Sequence, residues 1–434
     1  MRRNVWRLWV SGIFLCGFVC AMLAWAEVAN ALTWISEERG SSFLLYEGAE
    51  MDCLWKNARM KNAAFLSDTE SGLLREADLA LRTLTQTVTE KSEHPVSGDI
   101  HYYASLDPEY FPVIPGAGRK YLRRAGETNG EIERYDRYDF SRIVDMTRSV
   151  HALSVAYFFT RDERYAVHAA TLLRTWFVAP ETRMRPNLRF ARGFPGGPKG
   201  RPDGIEEGAL FIPLLDDLRM LDRSNALTGA DRNGLIGWFD AYLAWLSKSP
   251  FGKKALKTPG RLGVWTNAQI AVFADFLGKR ETARRAVLSG RGQIDRNIEP
   301  DGVLSRQVLS PKPQEDVFST LAGLVTLARI GEKTGVDLWG YRSKDGRTLR
   351  EAFRLLDPYL EGASPWPWGK SNRPSLEAFS RYLAMASSRC GGGRFDAAVQ
   401  AILGDSMGDE RLSSDSFLGL FCTGKSAFLR PKKN

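Results

Sequence analysis

Two adjacent pairs of acids are the first groups in the 434-residue chain with the makings of chemistry: Glu206-Glu207 and Glu315-Asp316. Glycoside hydrolysis needs a carboxylic acid and a carboxylate facing each other across the scissile bond. Both pairs also open predicted helices, where carboxylates favour the positive end of the helix dipole, so a capping role competes with catalysis. A second group, His101-Tyr102-Tyr103, joins an imidazole to two phenols. It lies in an irregular stretch, His94 to Tyr138, crowded with Tyr, Phe, Pro and Arg. In the same stretch Arg123 and Arg124 offer planar cations for sugar carboxylates, with Glu131 and Glu133 as rival partners. Tyr110, Phe111, Trp366 and Trp368 have rings suited to stacking on sugar faces, or to a core. His151 and His168 fall inside predicted helices, where a packing role suffices. The four histidines lack HExxH spacing and no CxxC occurs, so neither a metal nor another cofactor is expected.

The elements that must position these groups are helical. Between Ser141 and Phe177 the apolar residues Ile143, Met146, Val150, Leu153 and Tyr157 recur at spacings of three and four. Thr160-Arg-Asp-Glu163 then reads as a capping box opening a second helix with Tyr165, Ala169, Leu172, Leu173 and Trp176. Similar patterns recur at Glu207–Leu221, Ala230–Leu246, Trp265–Leu277, Glu281–Ile298, Val317–Thr334, Thr348–Leu360 and Leu376–Ser387. No alternating run is long enough for a large sheet. The expected fold is therefore all-α, an (α/α) toroid of antiparallel helical hairpins with long groove-lining loops. A second irregular stretch, Arg183 to Gly204, contains Phe194-Pro-Gly-Gly-Pro-Lys-Gly200. Long segments without regular structure inside a packed domain tend to be functional or mobile.

The chain ends and the charge narrow the setting. Arg2, Arg3 and Arg7 precede an apolar run from Val10 to Ala26, followed by Ala24-Trp25-Ala26 and Ala29-Asn30-Ala31. This pattern is that of a secretory signal peptide over residues 1–26, leaving one helical domain over 27–434 and no membrane span after cleavage; a retained membrane anchor is the rival reading, for which the apolar run is a little short. A periplasmic or secreted location follows. Lys and Arg number 60 against 51 Asp and Glu, a net charge of +9, and removal of the three arginines gives 9 − 3 = +6. The excess is spread along the chain with no polybasic tail, which gives nucleic-acid binding little support; an anionic partner, lipid or acidic polysaccharide, is expected of a monomer. Of the mature cysteines, Cys53, Cys390 and Cys422, export allows Cys390–Cys422 to pair, with free thiols as the alternative.

Several segments, in order, resemble the alginate lyase superfamily, secreted polysaccharide lyases built on an incomplete (α/α) toroid. They are Pro95-Val-Ser-Gly-Asp-Ile-His-Tyr-Tyr-Ala-Ser105, Glu109-Tyr-Phe-Pro112, Tyr121-Leu-Arg-Arg-Ala-Gly-Glu127, Leu173-Arg-Thr-Trp-Phe177, Ile298-Glu-Pro-Asp-Gly302 and Gly335-Val-Asp-Leu-Trp339. The resemblance spans roughly Lys91 to Leu360. It implies β-elimination on a 4-linked uronate: a side chain neutralises the sugar carboxylate, a base removes the C5 proton, and an acid protonates the leaving oxygen at C4. No cofactor is implied. The family's Asn-Asn-His-Gly-Thr-Trp-like motif, however, stands here as Gly260-Arg-Leu-Gly-Val-Trp265, and its later Arg and Tyr fall near Arg306 and near Glu315 or Asp316.

Three readings follow from that departure. In a lyase with a rearranged site, Arg261 neutralises the uronate and His101, Tyr102 or Tyr103 is the base, with Arg306 replacing the family's Arg. In a hydrolase, Glu206, Glu207, Glu315 and Asp316 supply the acid and base. In a binding protein the groove holds polysaccharide without cleaving it. Lys91, Tyr110, Phe111, Arg123, Arg124, Glu206 and Trp265 are the expected substrate contacts.

Overall fold

Two helices form a hairpin after the first irregular stretch, and the computed structural model describes residues 43–46, 74–113, 120–198, 200–360, 364–369, 373–390 and 392–407. The expected signal peptide, Cys53 and Cys422 lie outside them. Helix α1 (Phe140–Thr160) buries Ile143, Met146, Val150, Leu153 and Tyr157, the residues whose spacing predicted it. It packs against α2 (Glu163–Leu173), whose last turn runs on as a π-turn through Val178. The expected capping box is not the cap. Thr160 is the last residue of α1 and its hydroxyl donates to the Ala156 carbonyl at 2.7 Å. Asp162 instead caps α2, accepting from the Arg164 amide at 3.0 Å. Only two residues separate the helices, so Thr160 cannot leave the first to start the second.

A 3₁₀ segment (Asp203–Phe211) leads into α3 (Ile212–Met220), where the periodicity predicted one continuous helix from Glu207. Gly208 lets this segment lie close to its neighbours: a Cβ there would stand 2.2 Å from Tyr242 Oη and 2.3 Å from Gln269 Oε1. The backbone presses onto the core at that point, and only glycine allows the approach.

Helices α4 (Gly229–Lys248), α5 (Pro250–Lys257), α6 (Arg261–Phe276), α7 (Arg280–Asn297), α8 (Ser305–Val308) and α9 (Pro313–Thr334) follow, then α10 (Leu349–Leu360), α11 (Arg373–Cys390) and α12 (Asp396–Met407). The central element is α6, which packs against α4, α5, α7 and α9 and buries every residue from Leu262 to Phe276. A helix enclosed on all sides needs partners for its polar groups. Gln269 Nε2 donates to the Ile205 carbonyl at 2.9 Å, and its Oε1 accepts from Tyr242 at 2.8 Å. Rings of Phe177, Phe211, Trp238, Phe239, Tyr242 and Phe273 interlock beside it at centroid distances of 4.7 to 6.0 Å. The fold is all-α, an open toroid of antiparallel hairpins.

The irregular stretches carry four short strands. β1 (Ala104–Leu106) pairs in parallel with β4 (Phe190–Gly193), joining the two stretches directly. β2 (Tyr110–Pro112) and β3 (Tyr121–Arg123) form an antiparallel ribbon with Tyr110 opposite Arg123. Among the described residues no helix is long and apolar enough to cross a membrane.

Candidate active site

The site begins with a backbone oddity. Arg192, in β4, has φ +49°, a left-handed conformation that side-chain-bearing residues seldom adopt and that concentrates at functional positions. Its environment holds it there. The Arg192 amide donates to Ser105 Oγ at 2.8 Å, and its carbonyl accepts from Arg201 Nη1 at 2.8 Å. Arg201 is itself tied to Asp107 at 2.6 Å. Held this way, Arg192 directs its guanidinium toward both acids of the 3₁₀ segment: Nη1 is 3.1 Å from Glu206 Oε2, and Nε is 3.5 Å from Glu207 Oε1.

Arg261 meets the same Glu206 from the other side. Its Nη2 is 3.1 Å from Glu206 Oε2 and its Nη1 is 2.9 Å from Asp316 Oδ1. The result is a ladder of alternating sign: Asp316, Arg261, Glu206, Arg192, Glu207. A cation on the first residue of α6 opposes the helix dipole, so Arg261 breaks a local rule that the two flanking carboxylates offset. The start of α6 is firmly seated. Gly260 takes φ +85°, and its amide donates to Asn297 Oδ1 at 2.8 Å. Gln307 Nε2 reaches that oxygen at 3.2 Å and Thr320 Oγ1 at 3.3 Å, while Asn297 Nδ2 donates to the Gln293 carbonyl at 2.8 Å. Helices α7, α8 and α9 thus fix where Arg261 leaves the backbone.

Exposure grades the ladder. The side chains of Arg261 and Asp316 are 30% and 22% exposed, whereas that of Glu207 is 3% exposed. Glu207 accepts from Tyr103 Oη at 2.7 Å and from Ser105 Oγ at 2.8 Å. Burial raises the Glu207 carboxyl above its ordinary value, against the pull of Arg192 and the two hydroxyls. Burial and the nearby Glu207 charge push the Tyr103 phenol well above its ordinary value too, so Tyr103 stays a neutral donor. Burial likewise raises the Asp316 carboxyl, with Arg261 opposing.

The other sequence candidates divide. Arg261, Glu206 and Asp316 come together as described, with Glu315 half-buried beside Asp316 in the first turn of α9. Tyr103 lies behind the ladder, 1% exposed, with no face open to a sugar. Tyr102 is half-buried with its ring edge-on to Phe190 at 5.1 Å. His101 Nδ1 lies 2.8 Å from the Arg183 carbonyl oxygen. A carbonyl only accepts, so Nδ1 carries the hydrogen, and in the neutral ring Nε2 keeps its lone pair. Arg306 is exposed on α8 and is not a rung of the ladder.

The expected substrate contacts divide as well. Lys91 is 1% exposed and sits 3.0 Å from Asp139, away from solvent, where it serves the fold instead. Trp265 is 8% exposed, its indole donating to Ser319 Oγ at 3.0 Å, which leaves the ring to the helix interface. Tyr110 stacks on Phe194 at 3.9 Å beneath Arg201. Arg124 covers the ring of Phe111 at 4.8 Å, and exposed Arg123 pairs with Glu109 at 2.7 Å.

Sequence reasoning missed Arg192. The available signal was the irregular, Gly- and Pro-rich stretch from Arg183 to Gly204 that contains it. Among the described residues no three His, Cys, Asp or Glu side chains are grouped to hold a metal ion.

The comparisons agree with this architecture. The family model for alginate lyase matches residues 87–366. An alginate lyase from Bacteroides ovatus superposes with a TM-score of 0.75 at 26% identity, over 88% of this chain and 99% of that one. Alginate lyase A1-III from Sphingomonas species A1 gives 0.48 at 12% identity over 82% and 92%, too loose a likeness for comparing side chains. No curated protein matches the chain. The matched segment takes in the irregular stretches, the ladder and helices α1 to α10, and the chain belongs to the alginate lyase family.

Proposed function

We propose that this polysaccharide lyase cleaves a 4-linked, uronate-containing, alginate-like exopolysaccharide by β-elimination at the Arg261 ladder, and does so outside the cytoplasm. The observation that carries the reading is the half-exposed guanidinium of Arg261, fixed at the start of α6 between Glu206 and Asp316. By the resemblance, it falls within the motif positions from which the family supplies its carboxylate-neutralising group. A planar fork of N–H donors meets a carboxylate with two parallel bonds, which lowers the charge that otherwise opposes proton loss at C5. Arg192 adds a second cation behind it.

His101 is the base we assign. Its Nδ1–H is held on the Arg183 carbonyl, so Nε2 is the acceptor nitrogen. Nε2 takes the C5 proton, the electron pair forms the C4–C5 double bond, and the C4–oxygen bond breaks as the leaving oxygen takes a proton from solvent water. The hydrolase reading is less well supported, because Glu206 and Asp316 both pair with Arg261, and Glu207 is buried beneath Tyr103 and Ser105.

The test is ultraviolet absorbance of unsaturated uronate, followed with the purified protein on a panel of uronic and neutral polysaccharides. New absorbance on uronic polymers alone, abolished in Arg261→Ala and His101→Ala, is the expected result. Chain shortening without absorbance would replace elimination with hydrolysis. Retained elimination in His101→Ala would transfer the base role to Tyr102.

A further inference from the structure

We infer that Asp316 is an internal stand-in for the substrate: in the resting protein its carboxylate occupies the place on Arg261 that a uronate carboxylate takes during binding. This rests on Arg261 being the group that receives the uronate.

The two arms of Arg261 are held unequally. Glu206 Oε2 lies 3.1 Å from Arg261 and 3.1 Å from Arg192, so one oxygen is shared between two guanidinium groups and its side chain is only 13% exposed. Asp316 lies 2.9 Å from Arg261, is 22% exposed, and among the described residues forms its ion pair with Arg261 alone. It also sits in the first turn of α9, whose positive end welcomes a carboxylate with or without Arg261. Of the two acids, Asp316 is the one that can turn away without stranding a buried charge. A half-exposed pair of this kind is weak and exchangeable.

The exchange is selective by chemistry. A uronate returns to Arg261 the carboxylate it loses when Asp316 leaves. A neutral sugar returns none, and breaking the pair for it is unfavourable. Asp316 thereby sets a threshold that only carboxylated chains cross, at the expense of some affinity for them. It is a specificity-determining residue that touches the substrate's partner and need not touch the reacting atoms.

Asp316→Asn removes the competing charge while keeping the shape. The dissociation constant of a short uronate oligomer, by calorimetry, and KM on the polymer should both fall, roughly two- to fivefold. The kcat should stay within about a factor of two. Binding of the carboxyl-reduced, neutral oligomer should tighten at least as much, because it too no longer has to break the pair, so the preference for the uronate narrows. A collapse of kcat at unchanged affinity would make Asp316 a proton-transfer group and overturn the inference, as would weaker binding of the uronate. Asp316→Ser, read the same way, serves if the Asn variant does not fold. Absence of elimination by the unaltered protein on every uronic polymer would remove the functional reading itself. An active parent whose affinity is untouched in both variants would remove only the stand-in.

Discussion

Two ionic clusters built from the same kinds of residue behave as opposites in this molecule. Around Lys91 the charges are sealed: Lys91 and Asp139 are both 0% exposed at the side chain and 3.0 Å apart. Lys91 also donates to the carbonyls of Val88 and Ile100, Asp139 accepts from the Ala104 amide at 2.9 Å, and Arg142 reaches the Thr87 carbonyl at 3.3 Å. Around Arg261 the charges are half open and contact one another through side chains. The first cluster ties together main chain from three separate segments, whereas the second is the one we propose to exchange a member for a ligand. Charge alone does not make a site; what counts is whether its partners belong to the backbone or can be replaced.

That contrast fails if Lys91 proves dispensable. Lys91→Met leaves the buried Asp139 with the Ala104 amide and, at 3.6 Å, the Arg142 guanidinium, and removing one partner of a buried pair costs about 3–5 kcal/mol. Denaturant unfolding should show a loss of that size, and activity should fall only as the folded fraction falls. A variant that stays stable yet loses substrate affinity would return Lys91 to the substrate contacts that the sequence suggested.

Arg261→Ala is the converse test. Losing one preorganised electrostatic donor at a reacting centre typically lowers kcat by about 10²–10³. The unfolding free energy should change little, because Glu206 keeps Arg192 and Asp316 keeps the start of α9. A large stability loss with residual activity intact would make the ladder a structural cluster like the first.

The hairpin of α1 and α2 was readable in the sequence because its apolar residues repeat at the helical period and do face the core. Arg261 was readable because a motif marks the start of α6. Arg192 was not, since its role depends on a left-handed backbone and on β4 pairing with β1, neither of which leaves a periodic trace. Lys91 misled for a related reason. Lysine is ordinarily a surface residue, and the partner that allows its burial, Asp139, lies far along the chain. Short-range pattern fixes helices; pairing between distant loops decides which charged residues face the groove.

The Arg174–Asp231 pair lies between the two extremes. Arg174 binds Asp231 through two bonds of 2.9 and 2.8 Å, and Thr228 adds its amide and hydroxyl. The Arg174 hydrogen bonds hold the Asp231 carboxyl well below the usual carboxylate range, outweighing burial. Its stabilisation, on the order of 2 kcal/mol, is therefore complete above the unfolded value of about 4 and is lost as pH falls through the lower folded value. Asp231→Asn should be less stable at neutral pH, and the difference should close on acidification. A difference independent of pH would mean that Asp231 acts by packing, not charge.

The smallest effect belongs to Arg123, 61% exposed at the side chain and paired with Glu109 at 2.7 Å. A solvated pair contributes about 0–1 kcal/mol, so Arg123→Ala should hardly move the melting temperature. Any contribution to function is then electrostatic guidance of a polyanion, which salt screens over a Debye length of about 8 Å at physiological ionic strength. KM should rise roughly twofold at low salt and return to the parent value at high salt, as expected of a rim charge acting on encounter. A KM defect that persists at high salt would place Arg123 in direct contact with the sugar, making the β2–β3 ribbon part of the binding surface and moving it to the exchangeable side of the contrast.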